Sequence, residues 1–313
     1  MLNKPKFWDQ KNISIYAIFL LPFSFLIILK NFISSIIPKK KYKLKSICIG
    51  NIYLGGTGKT PLTIKLYNLL MKENIKVATA KKNYKQHRDE QVILKSNSDL
   101  ITGANRKKIF IKAKQKRIEL LLFDDGLQDS VVDYNLKFVC FNSDSFVGNN
   151  LIIPAGPLRE NLSSIKKYDA LFINGNKNYF NNIKIIRNFD KKIPIFKTFY
   201  KIKNLTSFKK TEKYFLFSGI GNPSSFKNLI KDNNLKICYE KVFPDHYEYK
   251  DNDFQKIIDK AKKMNSKIIT TEKDYVKIPK YYKKKIDVVK IDLIINKQKD
   301  LVNFIKKKLY EKY

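Results

Sequence analysis

Between Ile13 and Leu29 (ISIYAIFLLPFSFLIIL) no charged side chain interrupts the apolar run, and a helix of that length spans about 25 Å at ~1.5 Å per residue. Continuing to Ile37 would bring it to the roughly 30 Å of a bilayer's hydrocarbon core, with Lys30 snorkelling to the interface and Pro22 placed to kink the helix. The pattern predicts a membrane anchor over residues 1–38, either crossing the bilayer or lying in one leaflet. A buried core helix is the alternative. No small-x-small cleavage site comes after the run, which argues against a cleaved signal peptide. The chain continues instead with PKKKYKLK, whose cluster of Lys39, Lys40, Lys41, Lys43 and Lys45 is the heavier basic flank. That bias places the rest of the chain on the cytoplasmic side.

From Lys45 onward short β-branched runs alternate with amphipathic stretches. Ser46–Ile49 reads as a strand, Thr60–Lys72 as a helix with Leu62, Leu66, Leu69 and Leu70 on one face, and Lys76–Ala80 as a second strand. A basic helical stretch over Asn105–Arg117 is followed by strands at Ile118–Phe123 and Lys137–Phe141. Such alternation predicts an α/β fold: a parallel sheet with helices on both faces, over residues 39–200. After about residue 200 the pattern restarts, with strands at Tyr214–Ser218, Leu235–Phe243 and Lys267–Thr271 and helices at Ser224–Lys231 and Asp253–Lys263. This reads as a smaller α/β lobe over residues 201–313, with the lysine-rich stretch Lys191–Lys213 near the junction. No internal repeat is visible.

The first predicted strand runs into GNIYLGGTGKTP (Gly50–Pro61). Gly55, Gly56 and Gly58 allow backbone N–H groups to face a phosphate, and the helix opening at Lys59–Thr60 adds partial positive charge. Thr57 completes the loop, Lys59 is placed to reach the β and γ phosphates, and Thr60 to put its hydroxyl on Mg²⁺. The strict Walker spacing fails, because Tyr53 stands where the first glycine belongs. An ordinary glycine turn is the alternative. A phosphate loop also needs a metal carboxylate at the end of a neighbouring apolar strand, and IELLLFDDGLQ offers Asp124 and Asp125 there. Two solvated turn aspartates are the competing reading.

Composition sharpens this only in part. The 63 basic and 28 acidic side chains give +35, an attraction to nucleic acid, an anionic membrane or a phosphorylated substrate. Heavy use of Lys, Asn and Ile also fits an AT-rich genome. The three cysteines, Cys48, Cys140 and Cys238, are widely spaced in apolar runs, which argues against a disulfide framework or a zinc site and suits a reducing compartment.

Six ordered segments then carry a resemblance: GNIYLGGTGKTP, DDGLQ, PAGPLRE (Pro154–Glu160), GIGNP (Gly219–Pro223), FPDH (Phe243–His246) and TTEKD (Thr270–Asp274), behind an N-terminal apolar helix. Over roughly residues 13–280 the chain resembles the tetraacyldisaccharide 4'-kinases of lipid A biosynthesis, whose phosphate loop also lacks the first Walker glycine. The resemblance implies a P-loop NTPase-like kinase at the bacterial inner membrane, catalytic domain on the cytoplasmic face. It would transfer the γ-phosphoryl of ATP, with Mg²⁺, to the 4'-hydroxyl of tetraacyldisaccharide 1-phosphate and give lipid IVA. It further implies that Lys59 and Thr60 hold phosphates and metal, that Asp124 and Asp125 complete the metal shell with Gln128 in support, and that Arg159 neutralises the transferring group. Glu160 would be a metal or supporting partner. His246 in FPDHY matches the family's functional histidine and Asp89 in HRDE its aspartate. This pair is expected to act as the base, drawn together from different lobes when these close over ATP and lipid. His87, the other histidine, matches no motif and reads as a surface residue.

The chain departs from the family pattern in several places. KKNYK (Lys81–Lys85) replaces a Ser-Arg-Gly-Tyr-Gly stretch, Arg88 a glycine, Asp129 a histidine, and Tyr53 a small hydroxyl residue. Two rivals remain: another P-loop small-molecule kinase or GTPase, though no N-K-x-D motif occurs, and a basic nucleic-acid-binding protein prompted by RKKIFIKAKQKR (Arg106–Arg117). No nucleic-acid module is recognised, so no nucleic-acid partner is expected; an anionic leaflet and an anionic glycolipid account for the same charge.

Overall fold

A computed structural model describes residues 4–10, 12–83 and 88–311; His87 lies outside them, as do Tyr84 and Lys85. A 3-10 turn at Lys6–Asp9 precedes helix α1 (Ile15–Ile36), capped by Ser14, whose side chain accepts from the Ala17 N–H. Then come β1 (Lys40–Lys41), β2 (Lys45–Gly50), α2 (Lys59–Met71), β3 (Val77–Lys82), α3 (Arg88–Asn97), β4 (Leu100–Gly103), α4 (Arg106–Gln115) and β5 (Leu120–Asp124). The middle of the chain forms β6 (Val132–Asp133), β7 (Leu136–Asn142), β8 (Ala170–Asn174), α5 (Tyr179–Arg187) and β9 (Ile195–Ile202). Next are β10 (Lys213–Ser218), α6 (Pro223–Asp232), β11 (Lys236–Val242), α7 (Asp251–Lys263), β12 (Lys267–Thr271) and α8 (Glu272–Tyr275). The last elements are α9 (Lys280–Lys283), β13 (Ile286–Val289), β14 (Ile291–Ile295) and α10 (Gln298–Tyr310).

The chain divides into two compact units. The larger takes residues 4–83, 98–199 and 294–311, and its main sheet runs β14-β9-β8-β7-β2-β5-β3-β4. β2 lies between β5 and β7 and pairs with both in parallel. Strands met early in the chain lie to one side of it and later ones to the other, so the carboxyl ends of β2 and β5 flank the point where the winding reverses, the usual ligand crevice of such sheets. The four leucines expected on one face of α2 are all buried, and a core of Cys48, Ala78, Leu121, Phe123, Val139 and Phe141 fills in around the central strands.

The smaller unit takes residues 88–97 and 200–293, built on the parallel order β11-β10-β12-β13. Phe215, Phe217, Phe254 and Ile257 form its core on one side, Tyr214, Leu216 and Ile230 on the other. Two parts of the chain fall differently from a division at residue 200. The C-terminal helix α10 belongs to the larger unit, with Phe304 against Phe138 (6.4 Å between ring centroids) and Lys306 paired to Glu73 (2.6 Å). Helix α3, which carries Asp89, belongs to the smaller one.

α1 is long and apolar enough to cross a membrane, and few of its residues are buried. Of its described side chains only Ala17 and Ser24 are buried. Pro22 sits inside the helix without ending it.

Candidate active site

β2 and β5 are in register, with Ile49 opposite Asp124, and this lays the glycine loop beside DDGLQ. The approach is close: a methyl group on Gly50 would stand 2.5 Å from a Leu127 side-chain carbon. At the other end of the loop Gly58 has φ 90° as the residue before α2, a left-handed conformation that glycine adopts without penalty. The α2 N-terminus, with its unpaired N–H groups, therefore opens at Lys59 and Thr60. Inside the loop the Asn51 amide donates to the Tyr53 and Gly55 carbonyls, and its Oδ1 accepts from Lys59 Nζ at 3.1 Å. The Thr57 hydroxyl is buried and has no protein partner among the described residues.

Tyr53 does not crowd this loop. Its ring is buried against Ile152 and Leu158, and its hydroxyl donates to Asp9 at 2.7 Å and accepts from Lys4. Burial, with Asp9 beside it, pushes the phenol far above its ordinary pKa, so it is a neutral donor. The tyrosine thus pins the segment preceding the apolar helix to the front of the loop.

The two adjacent aspartates occupy different environments. Asp124 is buried; its Oδ2 accepts from Thr60 Oγ1 at 2.9 Å and from Lys81 Nζ at 2.7 Å, while its Oδ1 has no protein partner among the described residues. Lys81 reaches it because β3 pairs with β5 with Ala80 opposite Phe123, which sets the next residue of each strand side by side. Asp125, with φ 71°, turns outward, more than a third exposed, and its carboxylate lies 3.8 Å from both Lys59 Nζ and Arg159 Nη1. The Asp129 departure also has a structural partner. Arg106 binds Asp129 and the Tyr134 hydroxyl, and its third donor reaches the Asp125 carbonyl at 3.2 Å. The first residue of the basic run at 106–117 is therefore buried structure behind DDGLQ.

PAGPLRE brings Arg159 and Glu160 to the same place. Its backbone is tied to the loop, with Leu54 N–H donating to the Pro157 carbonyl (2.8 Å) and Arg159 N–H to the Ile52 carbonyl (2.7 Å). α1 holds its outer side: Ser24 donates to the Ile152 carbonyl and accepts from the Ala155 N–H, and Asn31 donates to the Arg159 carbonyl. Gln128 bridges the two charged residues, accepting from Arg159 Nη1 at 3.0 Å and donating to Glu160 Oε1 at 3.1 Å. The other Glu160 oxygen accepts from Tyr168 at 3.0 Å. Lys59, Asp125, Arg159, Gln128 and Glu160 are thus joined in one polar chain, with the Thr60–Asp124–Lys81 contacts beside it.

In the smaller unit Asp89 and His246 are already in contact. His246 Nδ1 lies 3.0 and 3.1 Å from the two Asp89 oxygens. Both residues belong to this one unit, so the expectation that they come from different lobes and meet on closure is not met: α3 is docked on α8. His246 holds φ 57°, a left-handed conformation uncommon for a side-chain-bearing residue and of a kind that gathers at functional sites. Burial raises the Asp89 pKa, but the His246 hydrogen bond and the nearby Lys273 and Lys277 outweigh it and hold the carboxyl below its usual range.

Several supporting residues escaped the sequence reading. Asp274 of TTEKD is fully buried and accepts from the Gly219 N–H, Thr271, Tyr249 and Lys277, knitting GIGNP to TTEKD. Asn51, Lys81, Tyr168, Lys273 and Glu90 likewise show up only as spatial neighbours. For Lys273 the motif itself was the available signal.

The family model for tetraacyldisaccharide-1-P 4'-kinase matches residues 16–310 of this chain. A protein named tetraacyldisaccharide 4'-kinase from Pelagibacter ubique (strain HTCC1062) is 44% identical over 306 residues, 96% of each chain. One of the same name from Rickettsia bellii (strain OSU 85-389) is 33% identical over 292 residues, covering 88% of this chain and 89% of its own. Among solved structures, LpxK from Aquifex aeolicus, crystallised as an "apo" form in complex with ATP, superposes with a TM-score of 0.69 at 23% identity, over 95% of this chain and 100% of that one. This last likeness shows the fold.

Proposed function

The chain belongs to the tetraacyldisaccharide-1-P 4'-kinase family, and we propose that it transfers the γ-phosphoryl of ATP to the 4'-hydroxyl of a tetraacyldisaccharide 1-phosphate, giving lipid IVA. The observation that carries the reading is the cationic pair Lys59 and Arg159, both 3.8 Å from the exposed Asp125 carboxylate at the N-terminus of α2. Phosphoryl transfer asks mainly for positioning and neutralisation of charge on the phosphate oxygens. Lys59 and the loop N–H groups supply this for the β and γ phosphates, and Arg159 for the transferring group. Asp89, held ionised, takes the proton of the acceptor hydroxyl, with His246 as its partner. The cradle belongs to the larger unit and the base to the smaller, so substitutions test the two halves of the chemistry separately.

Mg²⁺ goes with this reading, and the donors fit it: Thr60 with its hydroxyl on Asp124, a buried Asp124 Oδ1 lacking a protein partner among the described residues, and the accessible Asp125. Among the described residues no cluster of three or more His, Cys, Asp or Glu forms an all-protein cage, and magnesium bound through one or two carboxylates plus phosphates needs none. When bound, such an ion would neutralise charge on the phosphate oxygens. Gln128 and Glu160, whose polar ends are engaged by Arg159, Tyr168 and each other, serve here to hold Arg159 in place. Membrane seating through α1, with the cytoplasmic face of the inner membrane as the site of action, belongs to the same proposal.

Detergent-solubilised protein incubated with Mg-ATP and the disaccharide should yield the 4'-phosphorylated product. Lys59→Ala should lower kcat about 100- to 1000-fold, as expected for removal of one preorganised charge donor. Unchanged turnover in that variant, or none in the wild type, would overturn the assignment.

A further inference from the structure

The Asp89–His246 pair has a third member that fixes where its protons sit. With Nδ1 on Asp89, the other ring nitrogen, Nε2, lies 3.2 Å from Lys273 Nζ. An ammonium has three donors and no acceptor, so this hydrogen bond forms only if Nε2 offers its lone pair. The proton of the neutral imidazole then resides on Nδ1, where the Asp89 carboxylate accepts it. Lys273 is well placed to stay charged: burial alone would lower its pKa, but Asp245 at 2.8 Å, Glu90 at 3.7 Å and Asp89 at 3.9 Å outweigh burial and raise it.

Among the described residues, charges face the ring from three segments. α3 supplies Asp89 and Glu90, the latter 3.7 Å from Nε2; the FPDH turn supplies Asp245 at 3.8 Å; α8 supplies Lys273. Just beyond α8, Lys277 lies 3.9 Å from Asp89 and 3.1 Å from Asp274. Three carboxylates and one ammonium thus face the ring. The Lys273 ammonium, with donors only, takes up the Nε2 lone pair and so leaves the ring proton to Nδ1.

We infer that Lys273 is a positioning residue for the reaction: it locks His246 as the neutral Nδ1–H tautomer, so that the ring donates to Asp89 and the Asp89 carboxylate is the group that takes the proton. The inference rests on the kinase reading for its substrate, while the tautomer follows from the geometry alone. In the transfer step the acceptor oxygen forms its bond to the γ-phosphorus as the bond from that phosphorus to the bridging oxygen breaks. The electron pair leaves with ADP, and the acceptor proton passes to Asp89. A histidine already protonated on both nitrogens would weaken Asp89 as a base. Excluding that state is the contribution of Lys273.

The chain has two histidines, so in a His87→Gln background the ring nitrogens of His246 give the one imidazole signal in a nitrogen-15 NMR spectrum. The wild-type ring should show a protonated Nδ1 and an unprotonated Nε2 at neutral pH. Lys273→Met, close in shape and uncharged, should release the lock on the tautomer, so that the Nε2 signal moves toward the protonated position. It should also lower kcat about tenfold or more at neutral pH, with the KM for ATP unchanged. Partial recovery is expected in Lys273→Arg. A wild-type ring protonated on Nε2 would overturn the inference without any variant, as would an unchanged Nε2 signal in Lys273→Met. Absence of disaccharide turnover in the wild type, with the tautomer as stated, would instead count against the kinase reading and leave the tautomer assignment standing.

Discussion

At the scale of single residues, three of the departures from the family pattern, Tyr53, Lys81 and Asp129, turn out to be paired. Tyr53 looks like bulk beside the phosphates when read in sequence, because position in a motif gives no side-chain direction; in the fold its hydroxyl leaves the loop for Asp9 and Lys4. Tyr53→Phe keeps the packing and removes that tie, so it should cost about 1 kcal/mol of stability, the usual worth of one hydrogen bond, readable as a lowered denaturation midpoint. Lys81 is the sharper case. Its ammonium and the Asp124 carboxylate are almost wholly buried and 2.7 Å apart, and such a pair is strongly destabilising only when one partner is removed. Lys81→Met should therefore cost about 3–5 kcal/mol, and adding Asp124→Leu should recover most of it. A cost below about 1 kcal/mol for the single change, measured by chemical denaturation, would show that Asp124 is held without Lys81.

At the scale of elements, local periodicity and long-range placement separate cleanly. The strand, glycine loop and helix of β2 to α2 were legible because each step has its own local signal: an apolar run, three glycines, then leucines at helical spacing. β5 with Asp124 and Asp125 was legible for the same reason. α3 was not placed, because nothing in RDEQVILKSN says that its first turn docks on α8, more than 180 residues later. That docking runs through Asp89 to His246, Lys273 and Lys277, and it has a pH signature. The Asp89 carboxyl is held below its unfolded value of ~3.9. Its contribution to stability is therefore fully present above that value and lost as pH falls through the depressed folded value. Amide exchange protection in α3 should drop below about pH 4 relative to the larger unit's β2 and β5. In Asp89→Asn the protection should already be lower at neutral pH and should lack that acid step. An acid step that survives the substitution would assign the docking to other carboxylates.

At the scale of the whole molecule, the +35 charge and the exposed apolar flank of α1 call for one explanation. Phe19 and Tyr16 are largely exposed on that helix, while Lys40, Lys41 and Lys43 come directly after it in the chain. Nucleic-acid binding would explain the charge and leave the apolar helix idle; the proposed seating on an anionic leaflet would use both. Each basic residue near such a surface contributes about 1 kcal/mol at physiological ionic strength. Replacing Lys40, Lys41 and Lys43 together by Gln should thus weaken partition onto vesicles containing anionic lipid about 100-fold. Partition onto neutral vesicles, where α1 acts alone, should change little. The anionic preference of the wild type should fall steeply with added salt, because charges separated by more than about 10 Å are screened at 0.1 M. The three lysines lie outside the phosphate loop and the polar network around it, so turnover of a detergent-dispersed disaccharide should stay near the wild-type value. Equal loss of binding to neutral and anionic vesicles would mean that the substitutions had disturbed α1 itself. Unchanged anionic preference would move the membrane charge contact elsewhere on this basic chain.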